Sequence, residues 1–370
     1  MNVRIVLGLG FGDEGKGHVV SYLCSQNPDS LVVRFHGGHQ AGHTVVFNGV
    51  RHVFSSLGSG TLQGIPTLWS KNCTFYPTAL KNEFEILRKK IVGFMPDLYV
   101  DPLCPVTTPF DVYANLKDCQ HGTVGVGFGK TIERHEKYFK LHFQDLFFDS
   151  ILRAKLSNIR QYYGVPRGSN FHLDTKEQEF LDDVRQIREY YWLKSSKKLH
   201  ISVFKNIIFE GAQGILLDMD FGFFPNVTRS NTTSKNAFEL LKEFNLQSYP
   251  EMLFNIEIYY VTRSYQTRHG LGFMTNETDS LMLANNENET NRSDGKQGKF
   301  RIGTLDPNLL SYAIQCDDIF SNGYIKNLVI TCLDQTKNAL LMHPAELLDT
   351  KIFKNIITFH GEEDTGHVLR

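Results

Sequence analysis

Asp13, Glu14 and Lys16 stand together in GFGDEGKG (10–17), two acids and a lysine among glycines. Read as a phosphate-binding loop, Gly10 to Lys16 fits G-x-x-x-x-G-K, but Gly17 takes the place of the Ser or Thr that normally holds Mg²⁺. Read as a dinucleotide fingerprint the stretch fails, because the third glycine of G-x-G-x-x-G falls on Asp13. Glycines let backbone N–H groups turn inward, a following helix offers its positive end, and Lys16 adds a charge. Asp13 repels a phosphate unless a cation intervenes or there is a proton for it to take. The loop therefore reads as a phosphate site with a metal ligand and a base, and its bland alternative is a glycine turn with surface charges.

Two further motifs carry polar chemistry. FHGGHQAGHT (35–44) holds His36, His39 and His43. Their spacing admits a zinc reading, but the intervening glycines suit a backbone-lined turn better. A protonated His43 would neutralise charge developing on a leaving group. FEGAQGILLDMDFGFFPNVTRSNTT (209–233) breaks from an apolar run into Gly-Ala-Gln-Gly, then into uncharged amides and hydroxyls of the kind that read a base or sugar.

These residues need a scaffold. VRIVLGL (3–9), glycines and then HVVSYLCSQ read as strand, glycine loop and helix. SLVVRF (30–35), NIIFEG (206–211), FNIEIYYVT (254–262) and KNLVITCLD (326–334) read as further buried strands. PTALKNEFEILRKKI and KEQEFLDDVRQIREYYWL read as helices between them. Alternation of this kind predicts an α/β fold around a mostly parallel sheet flanked by helices, with ligands at the carboxyl ends of the strands. With no Pro- or Ser-rich linker the chain is expected to form one domain, 1–370. A polar stretch at about 275–303 is expected to be a mobile substrate loop, with a solvated loop as the alternative.

Composition narrows the class. The 370 residues are 41% hydrophobic and 21% charged, which fits a globular chain rather than a disordered one. With 39 basic against 40 acidic residues there is no electrostatic imprint of a nucleic-acid partner. Six scattered cysteines form no C-x-x-C pair and point to a reducing compartment. No leader-like or membrane-length apolar run is present, so a cytoplasmic protein is expected.

The three motifs, in this order, closely resemble the adenylosuccinate synthetase family. VTRSYQTRHGLGF (261–273) and TCLD (331–334) resemble two more of its motifs. The resemblance implies a homodimeric ligase joining IMP and L-aspartate with GTP and Mg²⁺. It implies Asp13 as the base at purine N1 and His43 as the group that stabilises charge during phosphoryl transfer. Gly12, Gly15, Lys16, Gly17, Gly42, His43 and Thr44 would bind GTP, with Asp334 reading guanine. Asp13, Gln40, Thr123, Gln213 and Thr228 would face IMP, Lys299 and Arg301 would hold aspartate, and Asp13 with the Gly42 carbonyl would hold the metal.

Departures from the family pattern fall on the monophosphate and amino-acid side. The chain is shorter than the usual bacterial member. Gln40 stands where Asn is usual, and Val124 and Val126 stand where a Thr and an Arg are expected. A basic residue normally lent by a partner subunit falls near Tyr138, between Lys137 and Lys140. The arginine-rich aspartate loop is reduced to GKQGKFRIGTLD, and Arg and Lys are not equivalent for bidentate carboxylate binding. Cys332 replaces a lysine that covers the guanine face. Two other outcomes stay open within this resemblance: the same chemistry on dIMP or dGMP in a phage-like 2-aminoadenine pathway, and a non-catalytic nucleotide sensor. A P-loop kinase or GTPase is disfavoured by Gly17.

Overall fold

Val3, Ile5, Val6 and Leu7 are all fully buried, so the first strand is covered on both faces and sits inside the sheet. This strand, β1 (Asn2–Gly8), pairs in parallel with Asn206–Gly214 on one side and Asn255–Arg263 on the other. Beyond Asn206–Gly214 come β2 (Ser30–Arg34), Thr67–Trp69, Leu98–Val100 and Leu193–Ser195. Beyond Asn255–Arg263 come Ile325–Thr331, Asn355–Thr358 and an antiparallel edge, His367–Val368. The computed structural model describes residues 1–118, 123–168, 170–246, 253–281, 283–284, 298–336, 344–346, 348–361 and 365–369.

Successive strand residues face opposite sides, and the core divides accordingly. Val3, Ile5 and Leu7 pack with Leu240, Leu309 and Leu310 from helices Lys235–Leu246 and Pro307–Ser321. Val6, Val32, Ile208 and Val329 pack on the other face against Val19, Val20 and Leu23 of helix α1 (Lys16–Gln26). A third cluster, rich in aromatics, lies around helices Pro77–Lys90, Asp149–Tyr162 and Phe171–Arg188. The expected α/β architecture is thus the observed one.

Differences from the sequence expectation are local. The helix expected from Lys176 to Leu193 starts at Phe171, where the Asn170 side chain caps it by accepting from Leu173 N–H, and it ends at Arg188. Leu193 opens a strand instead. His43–Phe47 and Val50–Phe54 form a hairpin whose turn residues, Asn48 and Gly49, both have positive φ, as a two-residue turn demands. Of the expected loop at 275–303, residues 282 and 285–297 lie outside the described residues. Phe300–Gly303 pairs with Gln266–His269 as a strand. Cys24, Cys73, Cys104, Cys316 and Cys332 carry no disulfide, and Cys119 lies outside the described residues. No described helix is long and apolar enough to cross a membrane.

Candidate active site

The carboxyl ends of β1, β2 and their neighbours converge on a cavity of about 1050 Å³. The loop after β1 forms one wall. Gly12, Asp13 and Gly15 all have positive φ, with Asp13 at 62°, which turns the loop tightly before α1 begins. Glu14 folds beneath the loop: its Oε1 accepts from Gly10 N–H at 3.0 Å and Gly12 N–H at 2.8 Å. Its Oε2 meets Lys16 Nζ at 2.5 Å, with both groups buried. A carboxylate of the chain itself thus occupies donors that the sequence reading assigned to phosphate.

The departure at Gly17 has a steric cause. A Cβ there would stand 2.7 Å from His43 Cβ and 3.1 Å from Ser59 Oγ. A glycine at this point lets the start of α1 touch the strand that carries His43. Gly214 plays the same part across the sheet, since its Cβ would meet the Gly10 carbonyl at 2.0 Å. The register between β1 and its neighbour slips between Val6 and Gly8, and the extra residues bring Ala212 and Gln213 to the cavity wall.

Asp13 projects into the cavity. His269 Nε2 lies 3.2 Å from its Oδ2, and Arg263 Nε donates to its backbone carbonyl at 2.5 Å. Burial pushes the Asp13 carboxyl up, but the His269 hydrogen bond and the Arg263, His269 and Lys16 charges outweigh it. The group is held below its usual range and is ionised at neutral pH.

His43 is fixed from behind. Its Nδ1 lies 2.5 Å from Glu210 Oε1, and Glu210 also accepts from the Ser59 backbone N–H at 3.1 Å and from the Ser59 hydroxyl. A carboxylate only accepts, so Nδ1 carries the proton. Nε2 is buried without a hydrogen-bond partner among the described residues, on a ring that lines the cavity. Burial lowers the His43 pKa and wins over the opposing pull of Glu210. The ring is neutral in this state. A phosphate beside Nε2 would favour the imidazolium, which donates on both sides. His36 and His39 are pushed down by burial, His39 to about 4. The zinc reading finds no support, since no group of three or more metal-ligating side chains occurs among the described residues.

Most of the sequence-derived site residues meet at this cavity: Gly12, Asp13, Gly15, Lys16 and Gly17 on one wall, Gln40, Gly42, His43 and Thr44 on the next. Thr123, Gln213, Thr228 and Asp334 line it as well. Gln40 buries both amide atoms without a partner among the described residues, and Gln213 does so with Oε1 while its Nε2 donates to Thr228 Oγ1 at 2.9 Å. Lys299 and Arg301 are not brought to the wall. Arg301 makes a two-point pair with Glu277, at 2.9 and 2.5 Å, and donates to the Gly270 and Gly272 carbonyls; Lys299 meets Asp279 at 3.2 Å. The cations that do line the cavity include Arg263, Arg268, Lys130 and Arg229. Glu14 and Glu210, to which the motifs give no role, both hold site residues in place. The signal for Glu210 was available, as a single charge inside the apolar run NIIFEG.

A parallel α/β sheet, a glycine loop feeding a helix, and a carboxylate and an imidazole lining one cavity are the parts of a phosphate-transferring nucleotide site. The adenylosuccinate synthetase family model matches residues 5–340. The curated adenylosuccinate synthetase of Buchnera aphidicola subsp. Schizaphis graminum is 31% identical, over 99% of this chain and 86% of its own length. That of Edwardsiella ictaluri is 30% identical, over 90% and 78%. The chain belongs to the adenylosuccinate synthetase family and is a ligase by that membership. Two solved structures share the fold. Fully ligated adenylosuccinate synthetase from Plasmodium falciparum superposes with a TM-score of 0.66 at 22% identity, over 90% of this chain and 77% of that one. The succinoaminodeoxyadenylate synthetase of cyanophage S-2L, bound to dGMP and dATP as an energy donor, gives 0.65 at 14%, over 99% and 95%.

Proposed function

We propose that this chain joins IMP to L-aspartate with GTP as phosphoryl donor, forming adenylosuccinate. The observation that carries this reading is the placement of an ionised Asp13 carboxylate and of His43, whose Nε2 has no partner among the described residues, on the walls of one cavity at the phosphate loop. Asp13 takes the N1 proton of the purine, exchanging the His269 hydrogen bond for it. O6 then bonds to the γ-phosphorus as the bond to the β-phosphate oxygen breaks, releasing GDP. His43 donates from Nε2 to the transferring phosphate once protonated. The aspartate amine next bonds to C6 and the C6–O6 bond breaks, releasing phosphate. Asp334 reads the guanine of GTP.

A divalent cation fits the chain's donor set: one partly exposed carboxylate, Asp13, and a backbone carbonyl from Gly42, which lines the same cavity, leaving room for phosphate oxygens. Mg²⁺ held there would neutralise phosphate charge. On the IMP side, Gln40, Thr123, Gln213 and Thr228 supply neutral hydrogen bonds. Lys130 and Arg229 supply the charge for the monophosphate; they now rest on Asp118 at 2.8 Å and Glu136 at 3.0 Å. Aspartate is held by Lys299 and Arg301, whose present partners Asp279 and Glu277 are stand-ins for its two carboxylates. Homodimer assembly is part of the same reading, with the 85% exposed Tyr138, between Lys137 and Lys140, near the position where the family lends a basic residue.

A second reading keeps the chemistry on a deoxynucleotide, dIMP or dGMP. The reduced arginine loop, GKQGKFRIGTLD, admits it. The test offers IMP, dIMP, GMP and dGMP separately with Mg²⁺, GTP and L-aspartate, and follows phosphate and the succinyl-nucleotide. Turnover with IMP that Asp13→Ala abolishes supports the main reading. Turnover with dGMP alone moves the protein to the second, and GTP binding without turnover on any acceptor leaves a sensor.

A further inference from the structure

Arg34 is fully buried, and none of its three guanidinium nitrogens has a hydrogen-bond partner among the described residues. Such a side chain is costly to keep, because a charge taken from water needs hydrogen bonds or a counter-charge. Its position supplies the reason. Glu210, Arg34 and Trp69 stand in register on three adjacent parallel strands, so their side chains lie abreast on the face that packs against α1. The guanidinium carbon lies 5.2 Å from the Trp69 ring centroid on one side, and Glu210 is the neighbour on the other. Glu210 is fully buried too, and both its oxygens are engaged, Oε2 by the Ser59 N–H and Oε1 by the Ser59 hydroxyl and His43 Nδ1, the pattern of a carboxylate.

We propose that Arg34 is a positioning residue of the phosphate-transfer site: its charge keeps Glu210 a carboxylate in the core, and Glu210 in turn holds His43 with Nε2 facing the cavity. Lys16 cannot serve in its place, since its ammonium is tied to Glu14. Among the described residues, the titratable groups that feel the Arg34 charge include His36, His43 and Cys73, and neither a neutral imidazole nor a buried thiol supplies a counter-charge to Glu210. The proposal goes beyond ordinary packing because an apolar side chain would fill the same space at lower desolvation cost. It uses the function proposed above only for its activity readout.

The test compares Arg34→Met, Arg34→Lys, Glu210→Gln and the Arg34→Met/Glu210→Gln double variant. Turnover is followed with GTP, IMP and L-aspartate, and the His43 Nδ1–H signal by ¹⁵N-histidine NMR on the uncomplexed protein. For Arg34→Met the expected result is a kcat lower by about tenfold or more, with KM for GTP changed by less than about threefold. Its melting temperature should fall, because Glu210 loses its counter-charge, and the strongly hydrogen-bonded Nδ1–H signal should weaken. Arg34→Lys should restore part of both, and the double variant should be no worse than Glu210→Gln alone. Additive losses or an unaltered His43 signal would each overturn the proposal, and if Arg34→Met fails to fold, a double variant that also fails to fold would overturn it. If the parent turns over none of these substrates, the function is wrong, and the NMR comparison still decides the role of Arg34.

Discussion

The carboxylate of Glu14 lies 2.5 Å from the ammonium of Lys16, and the pair is buried beneath the phosphate loop. The same carboxylate accepts two loop N–H groups, from Gly10 and Gly12. An anion from the chain therefore holds the loop in shape before any nucleotide arrives. Replacing Glu14 by Gln leaves a buried lysine without its counter-charge, which costs about 3–5 kcal/mol where such pairs are broken. Urea unfolding of Glu14→Gln is expected to show a loss of that order. GTP is expected to raise its melting temperature more than the parent's, because phosphate can replace the missing anion. Equal stability of variant and parent would show that the pair carries no weight.

Gly17 touches the backbone that presents His43, so Gly17→Ser adds a hydroxyl where there is no room even for Cβ. Overpacking of this kind costs about 1–3 kcal/mol. The expected outcome is a lower melting temperature and a lower kcat, with no gain in Mg²⁺ affinity by titration. A variant that bound Mg²⁺ more tightly would return the loop to ordinary P-loop logic.

How much of this was legible in the sequence depends on how local each relation is. β1, its glycine loop and α1 are contiguous, and an apolar run followed by glycines and an apolar-periodic stretch declares them. The hairpin that carries His43 also had a local sign, Asn48-Gly49, and needed only to be read. The Glu210–His43 contact joins residues 167 apart in the chain. Nothing near either residue encodes it, because it exists only once Asn206–Gly214 has taken its place between β1 and β2. Arg301 was legible as a residue but not as a geometry: its donors go to Glu277 and two carbonyls, and that choice depends on the pairing of Gln266–His269 with Phe300–Gly303.

That pairing gives the amino-acid side its own test. If Glu277 stands in for a substrate carboxylate, it competes with L-aspartate for Arg301. Glu277→Gln is then expected to lower KM for aspartate several-fold, and Arg301→Gln to raise it by about tenfold or more, kcat moving less in both. Saturation curves at fixed GTP and IMP separate these cases. An unchanged KM in Arg301→Gln would transfer the role to the cavity-lining Arg263 or Arg268.

Glu210 sets the last prediction. Burial would raise its pKa, but His43, Arg34 and Ser59 together hold it below the ordinary glutamate value of 4.5. A carboxylate with a depressed folded pKa contributes stability that is complete above its unfolded pKa and is lost as pH falls through the folded one. The parent is therefore expected to exceed Glu210→Gln in stability by a constant margin at neutral pH. Below about pH 4 that margin should shrink, and at the acid end of a denaturation series the two curves should converge. A margin that held constant down to the lowest accessible pH would mean that the glutamine loses packing rather than charge. A margin that grew on acidification would reverse the sign, and with it the assignment of Glu210 as the ionised partner of His43.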